Sequence, residues 1–463
     1  MEWRKRIYAA LGPQGPRAPG SAAPLRVGGP PGPRVAGLCV GGSIVVLVLS
    51  VCVCPPPARA ASESGTADPN QKGSYVSRQE YDTLKKELDD VKAQVAAQGQ
   101  APPATPRTRP MAERLGLTDT RLLITGSAAA GYFDPQGQSS TFAAEFNPMF
   151  LWQLDERLFF EGELELALEG PEANGEGSET EVELDLAYLT YLLHDYALVG
   201  AGKFSVPFTA YHNHLDPSWI NKLPIDPLVY GDGGIAPDTG VGAFVTGAVP
   251  YRSVLFNYAI FLTNGPALIT ENPESAGNLN FDNFNDLNNN KALGFRVGFL
   301  PIPQLEVGYS FEFSRPNPPG FETVHSTLHG LDLNYVAHLA AIKGQLTARG
   351  AWVWSDLSDV TYDPTGALGF GPLFFDNDRN GGYAEVAYRP VDVSERILRN
   401  FELVLRYDRL DIPSDAPGDG TREQWTPGLA YWITPRTVLK VAYSFDQSEQ
   451  DNDLFALQFA TGF

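Results

Sequence analysis

Beyond residue 120, apolar residues recur at every second position through most of the chain. Residues 452–463 set Phe455, Leu457, Phe459 and Phe463 on one face and Ala456, Gln458 and Ala460 on the other. Residues 304–313 and 437–446 carry the same period of two. That period belongs to strands. A strand buried in a soluble sheet is apolar on both faces, and a half-exposed one usually sets charge opposite its apolar side. Small and polar residues opposite an aromatic face fit a strand with lipid on one side and a lumen on the other.

About sixteen such strands are predicted from Arg121 onward, and their connections alternate in length. Short links fall at 155–156, 194–195, 250–252, 301–303, 339–340 and 434–436. Long ones fall at 170–180, 205–239, 264–290, 315–325, 355–380 and 412–422, and 389–400 is a longer link on the short-turn side. Short turns at one end, long loops at the other and an even strand count describe an all-β, transmembrane antiparallel barrel spanning 115–463. No fixed repeat period recurs, which disfavours a solenoid or propeller.

The N-terminus reads differently. Residues 1–60 hold scattered Arg and Pro, an apolar stretch over 35–54 and Ala58-Arg59-Ala60, a small-x-small cleavage pattern, so a signal peptide is expected with a mature start near Ala61. Residues 74–98 form a short coiled-coil helix, with Tyr81, Leu88 and Val95 at a positions and Leu84 and Val91 at d positions. Four prolines make 99–114 a semi-rigid linker.

Composition narrows the chemistry. All three cysteines (Cys39, Cys52, Cys54) lie within 1–60, so the remainder has no disulfide framework, zinc cluster or thiol nucleophile. Formal charge over the whole chain is −21. Residues 1–60 hold seven of the 34 bases and one of the 55 acids, which leaves 27 against 54, or −27. Nucleic acid is not a partner for such a surface.

If apolar positions face lipid, the opposite register assigns the lumen. In 159–169, Phe160, Leu164, Leu166 and Leu168 point out, and Glu161, Glu163, Glu165 and Glu169 point in. The next strand repeats this, with Val182, Leu184 and Leu186 outward and Glu181, Glu183 and Asp185 inward. Inward bases are expected at Lys203, Arg296, Lys343, Arg349, Arg406 and Lys440, either as a basic wall opposite the acidic one or paired with carboxylates such as Asp408 and Asp446. The third long loop, 205–239, is expected to fold inward as a constriction bearing His212, His214, Asp216, Lys222 and Asp226, with a lid over the mouth as the alternative. No metal or other cofactor is expected, because His212-x-His214-x-Asp216 has no further spaced ligand. A barrel hydrolase would need more than His325 and His329 flanking Ser326 and Thr327, and no enzymatic activity is expected.

Residues 202–208, Gly-Lys-Phe-Ser-Val-Pro-Phe, end a strand in a pattern that resembles the phosphate-selective (O/P-type) outer-membrane porins, as do the terminal Phe463 and the barrel over 115–463. The resemblance implies a homotrimer in the outer membrane of a Gram-negative-type bacterium. It also implies passive diffusion of ions and small hydrophilic solutes, and reading of Phe463 by the barrel-assembly machinery. Phosphate selectivity does not carry over, because selecting phosphate needs clustered basic donors and the densest lumen ladder here is Glu. Cation preference is expected instead, and an envelope-tethering barrel of little conductance is the alternative.

Overall fold

The computed structural model describes residues 121–463, apart from 169–179, 231–232, 283–288, 319, 322, 370 and 449–451. The signal peptide, coiled coil and linker expected over 1–60, 74–98 and 99–114 lie outside the described residues, as does Glu169.

The strands in chain order are β1 (Arg121–Pro135), β2 (Thr141–Gln153), β3 (Leu158–Leu168), β4 (Thr180–His194), β5 (Ala197–Ser205), β6 (Thr239–Tyr251) and β7 (Val254–Thr263). Two short strands, β8 (Ala267–Leu268) and β9 (Leu279–Asn280), precede β10 (Ala292–Ile302), β11 (Leu305–Ser314), β12 (Ser326–Leu339) and β13 (Gly344–Leu357). Another short pair, β14 (Thr361–Tyr362) and β15 (Leu373–Phe374), precedes β16 (Arg379–Arg389) and β17 (Phe401–Ile412). The last three are β18 (Gly420–Thr434), β19 (Thr437–Asp446) and β20 (Leu454–Gly462).

Sixteen of these pair antiparallel with their sequence neighbours into one closed barrel, in which β8–β9 and β14–β15 take no part. Closure joins β1 to β20 in the register Ser127↔Gly462 through Pro135↔Leu454. An even count returns both ends to the same rim. There Gly126 and Phe463 exchange backbone hydrogen bonds, and the Phe463 ring stacks on Phe146 at 5.5 Å.

Alternation governs the walls as the sequence requires. Phe142 on β2 is 81% exposed, and Leu403, Leu405, Leu457 and Phe459 are exposed in the same outward register. Glu145, Asn147, Arg406, Asp408, Lys440 and Gln458 are buried inside. A closed even-stranded barrel satisfies every ladder bond internally, and with an apolar exterior it is a membrane-spanning structure of the outer-membrane type. The interior holds a core that runs from Phe133 and Leu186 on the walls through Phe208, Leu228 and Val229 in the third loop to Val353, Tyr383 and Leu410.

Two inward–outward assignments are corrected. Leu186 does not face lipid; it is 1% exposed and belongs to the inner core. The pairing Glu163↔Leu186 followed by Leu164↔Leu184 leaves Asp185 as an extra residue, and this bulge reverses the register beyond it. Lys343 is not on the wall. It caps the 340–342 turn between β12 and β13, exposed and with φ of 51°.

Long loops build a second apolar cluster outside the lumen core, in which Leu268, Ala276, Val324, Leu357, Tyr362, Phe375 and Ala416 are buried together. Asn377 ties two of these loops by donating from Nδ2 to the Gly277 carbonyl at 2.9 Å.

Candidate functional site

The third loop leaves β5 at Ser205 and returns at Thr239, and the Val206 N–H donates to the Asp238 carbonyl at 2.7 Å to close its neck. Gly202 precedes that neck at φ of 140°, where a Cβ would meet the Ala187 carbonyl oxygen at 2.2 Å, so glycine is required at the head of the 202–208 motif. Beside it, Lys203 Nζ lies 3.2 Å from both Glu183 Oε1 and Asp282 Oδ1. Phe204 packs on Phe244 at 4.6 Å, and Phe208 is fully buried.

Most of the loop is buried. Its short helix α1 (Tyr211–His214) sets Tyr211 against Tyr230 in a parallel stack at 4.4 Å, and Tyr383 of β16 meets both rings edge-on. Asn221 Nδ2 donates to Tyr211 Oη and Asp226 Oδ1, each at 3.0 Å, and Tyr211 Oη donates to the same Asp226 oxygen at 3.0 Å. This apolar and aromatic content explains why so long a connection folds compactly instead of standing in water.

Of the five residues assigned to the constriction, Asp226 is in this network. His212 is buried with Nδ1 3.4 Å from Asp238 Oδ1 and 3.9 Å from Asp216 Oδ2, which brings His212 and Asp216 together. Lys222 reaches the far wall, 2.5 Å from Glu402 Oε1 and 5.7 Å from the centre of the Trp432 ring. His214 is half-buried.

The loop crosses the lumen. Thr209 N–H donates to Ser310 Oγ of β11 at 2.9 Å, and Ser218 Oγ donates to Glu145 of β2. Leu223 and Trp219 sit where side chains are missing from the wall: a Cβ on Gly428 would lie 2.3 Å from Leu223, and one on Gly462 would lie 2.6 Å from Trp219. Lys440 Nζ donates to the carbonyls of Ser218 (2.6 Å), Leu223 (3.1 Å) and Asn221 (3.3 Å). Arg406 donates through Nη1 to the Ile225 carbonyl (2.7 Å), through Nη2 to that of Asp226 (2.9 Å) and through Nε to Asp408 Oδ2 (2.8 Å).

The charged walls are therefore not two open faces across water. Glu161, Glu163 and Glu165 on β3 and Glu183 and Asp185 on β4 are buried, and Glu181 is half-buried at the strand end. Among the bases, Arg296 Nη2 lies 2.6 Å from Asp332 Oδ1 and 3.0 Å from Glu306 Oε1, and Arg349 Nη1 lies 3.9 Å from Glu385 Oε1. Arg406 and Lys440 hold the loop instead of standing free in the lumen. Pairing with Asp408 was among the sequence alternatives; binding of loop carbonyls was not, because no side-chain pattern marks which backbone will arrive. Glu145 and Glu402 were also missed, although Glu145 shares the inward register of Asn147 between the outward Phe142 and Phe146.

The serine and histidines weighed for hydrolysis are apart. Ser326 is buried inside, whereas the His329 ring meets outward Phe311 at 5.2 Å and accepts or donates a 2.9 Å hydrogen bond with Tyr309 Oη. His325 Nδ1 is bonded to Ser358 Oγ at 2.8 Å.

No family model and no curated protein matches the chain. Solved structures that resemble it include Salmonella typhi OmpF in complex with daunomycin, at 12% identity and a TM-score of 0.47, covering 74% of this chain and 97% of that one. Pseudomonas putida OprB at high pH resembles it at 10% identity and 0.47, covering 74% and 94%. Pseudomonas aeruginosa OccK8 does so at 12% and 0.40, covering 74% and 98%. These likenesses are distant, and the fold rests on the strand pairing itself.

Proposed function

We propose that the chain is a porin-type channel of the outer membrane, passing ions and small hydrophilic solutes without catalysis. The observation that carries this reading is a closed sixteen-stranded barrel, apolar outside, whose inner walls bear buried charged residues against which the long 205–239 loop packs. The 202–208 motif and the terminal Phe463 favour the O/P-type porins among such channels. Assembly as a homotrimer and recognition of Phe463 by the barrel-assembly machinery come with that reading. Six carboxylates are buried on β2 to β4, where Lys203 pairs with Glu183, and this acidic excess favours cations over anions and argues against phosphate selectivity.

The test is single-channel conductance of the refolded protein in planar bilayers, with the reversal potential read under a salt gradient. Stepwise currents in threes with a cation-selective potential are expected. An anion-selective potential overturns the charge assignment and leaves the pore. A second reading, an envelope barrel of little conductance, is favoured by one observation: the third loop is tied to walls on both sides of the lumen. Folded barrel that passes no current selects it.

A further inference from the structure

In the closed ring of sixteen, β17 stands eight places from β5, the strand from which the third loop emerges. The loop is hinged on one wall and held on the far side of the ring, by Arg406 of β17 and by Lys440 of β19, two strands further on. Lys440 and Arg406 are each 1% exposed, and between them they take five backbone carbonyls from residues 218–226. An ammonium has three N–H donors, and Lys440 makes three hydrogen bonds to Ser218, Asn221 and Leu223. Arg406 divides its fork between the loop and Asp408, which fixes the guanidinium plane.

We propose that Lys440 and Arg406 are positioning residues that latch the third loop across the lumen and so set the width of the passage. The latch grips main chain, so it fixes the path of the loop whatever side chains the loop carries. Carbonyls of a buried loop must find donors, and these two cations supply them at one place. Around the latch, the loop tip is held by smaller contacts: Lys222 with Glu402, Ser218 with Glu145, and Trp219 and Leu223 in the hollows at Gly462 and Gly428. Without the cations the carbonyls of 218–226 lose their strongest donors, and the loop swings about its neck at Val206 and Asp238.

This inference rests on the channel reading for one of its two tests. Lys440→Met, Arg406→Met and the double variant are folded into bilayers, with Lys343→Gln as a control that removes one base from an exposed turn. The double variant is expected to conduct at least twofold more than wild type, with added open-channel noise, and Lys440→Arg to stay near wild type. Independently of current, the folded proteins are treated with trypsin and the Lys222–Leu223 bond is followed by mass spectrometry. Protection in wild type and Lys343→Gln, with cleavage at least tenfold faster in the double variant, is expected. Equal protection and equal conductance in wild type and the double variant overturn the latch. Cleavage that follows the latch in a barrel that never conducts upholds the latch and removes the channel reading. Should the Met variants not fold, Lys440→Gln, which keeps donors but loses the charge, carries both measurements.

Discussion

The two walls that the third loop touches use charge in opposite ways. The β2–β4 wall holds six buried carboxylates, and there the loop is the donor, Ser218 Oγ giving its hydrogen to Glu145. The β17–β19 wall supplies two cations, and five loop carbonyls converge on them. Carboxylates are acceptors, as are the carbonyls of a loop, so an acidic wall meets main chain only through its N–H side. Ammonium and guanidinium groups are donors and can gather carbonyls several at a time. What anchors a buried loop is therefore the direction of the hydrogen bonds a wall offers, and not the number of its charges.

The largest effect expected from breaking this contrast is at Arg406. Arg406→Met leaves Asp408 buried beside an apolar chain and takes the guanidinium donors from two carbonyls, at a cost of about 3–5 kcal/mol. The urea midpoint of the folded barrel measures it, and a shift no larger than that of a surface substitution would deny the cation wall its role.

A smaller effect sharpens the comparison at the loop neck. Burial pushes the Asp238 carboxyl well above the ordinary carboxylate range. Asp216, Asp185 and Asp282 push it the same way, and Lys203 opposes them; His212 faces it from α1. The folded state then holds a proton that the unfolded chain releases, so this contribution falls as pH rises from the ordinary Asp value through the raised one. Wild type measured against Asp238→Asn should lose relative stability steadily above pH 4, and a flat difference would show that the carboxyl titrates normally.

The smallest effect lies in the acidic wall itself. Glu165 and Glu183 are directly opposed on β3 and β4. Like charges in that position repel, so Glu165→Gln is expected to stabilise by up to about 1 kcal/mol. Destabilisation in the same urea assay would mean that the carboxylate holds something the glutamine cannot.

Much of the fold was legible because a barrel wall has a period of two and lipid enforces it. The outward set Phe455, Leu457 and Phe459 and the inward set Ala456, Gln458 and Ala460 could be separated without knowing any neighbour. Leu186 defeats the same rule because one extra residue at Asp185 inverts the faces, and nothing in Asp185-Leu186 announces a bulge. Lys343 fails for a related reason: turns have no faces, and parity counted through one is meaningless. The strands β8, β9, β14 and β15 span two residues each, too short for any period to register.

By itself the sequence determined the strands, their alternation, the short and long connections and the apolar exterior. Each follows from residue type at fixed spacing and from the solvent on either side. Tertiary structure alone decided where the third loop lands and what receives it. Five carbonyls, which every residue possesses and no sequence pattern distinguishes, meet Lys440 and Arg406 because ring closure places β17 and β19 across from β5.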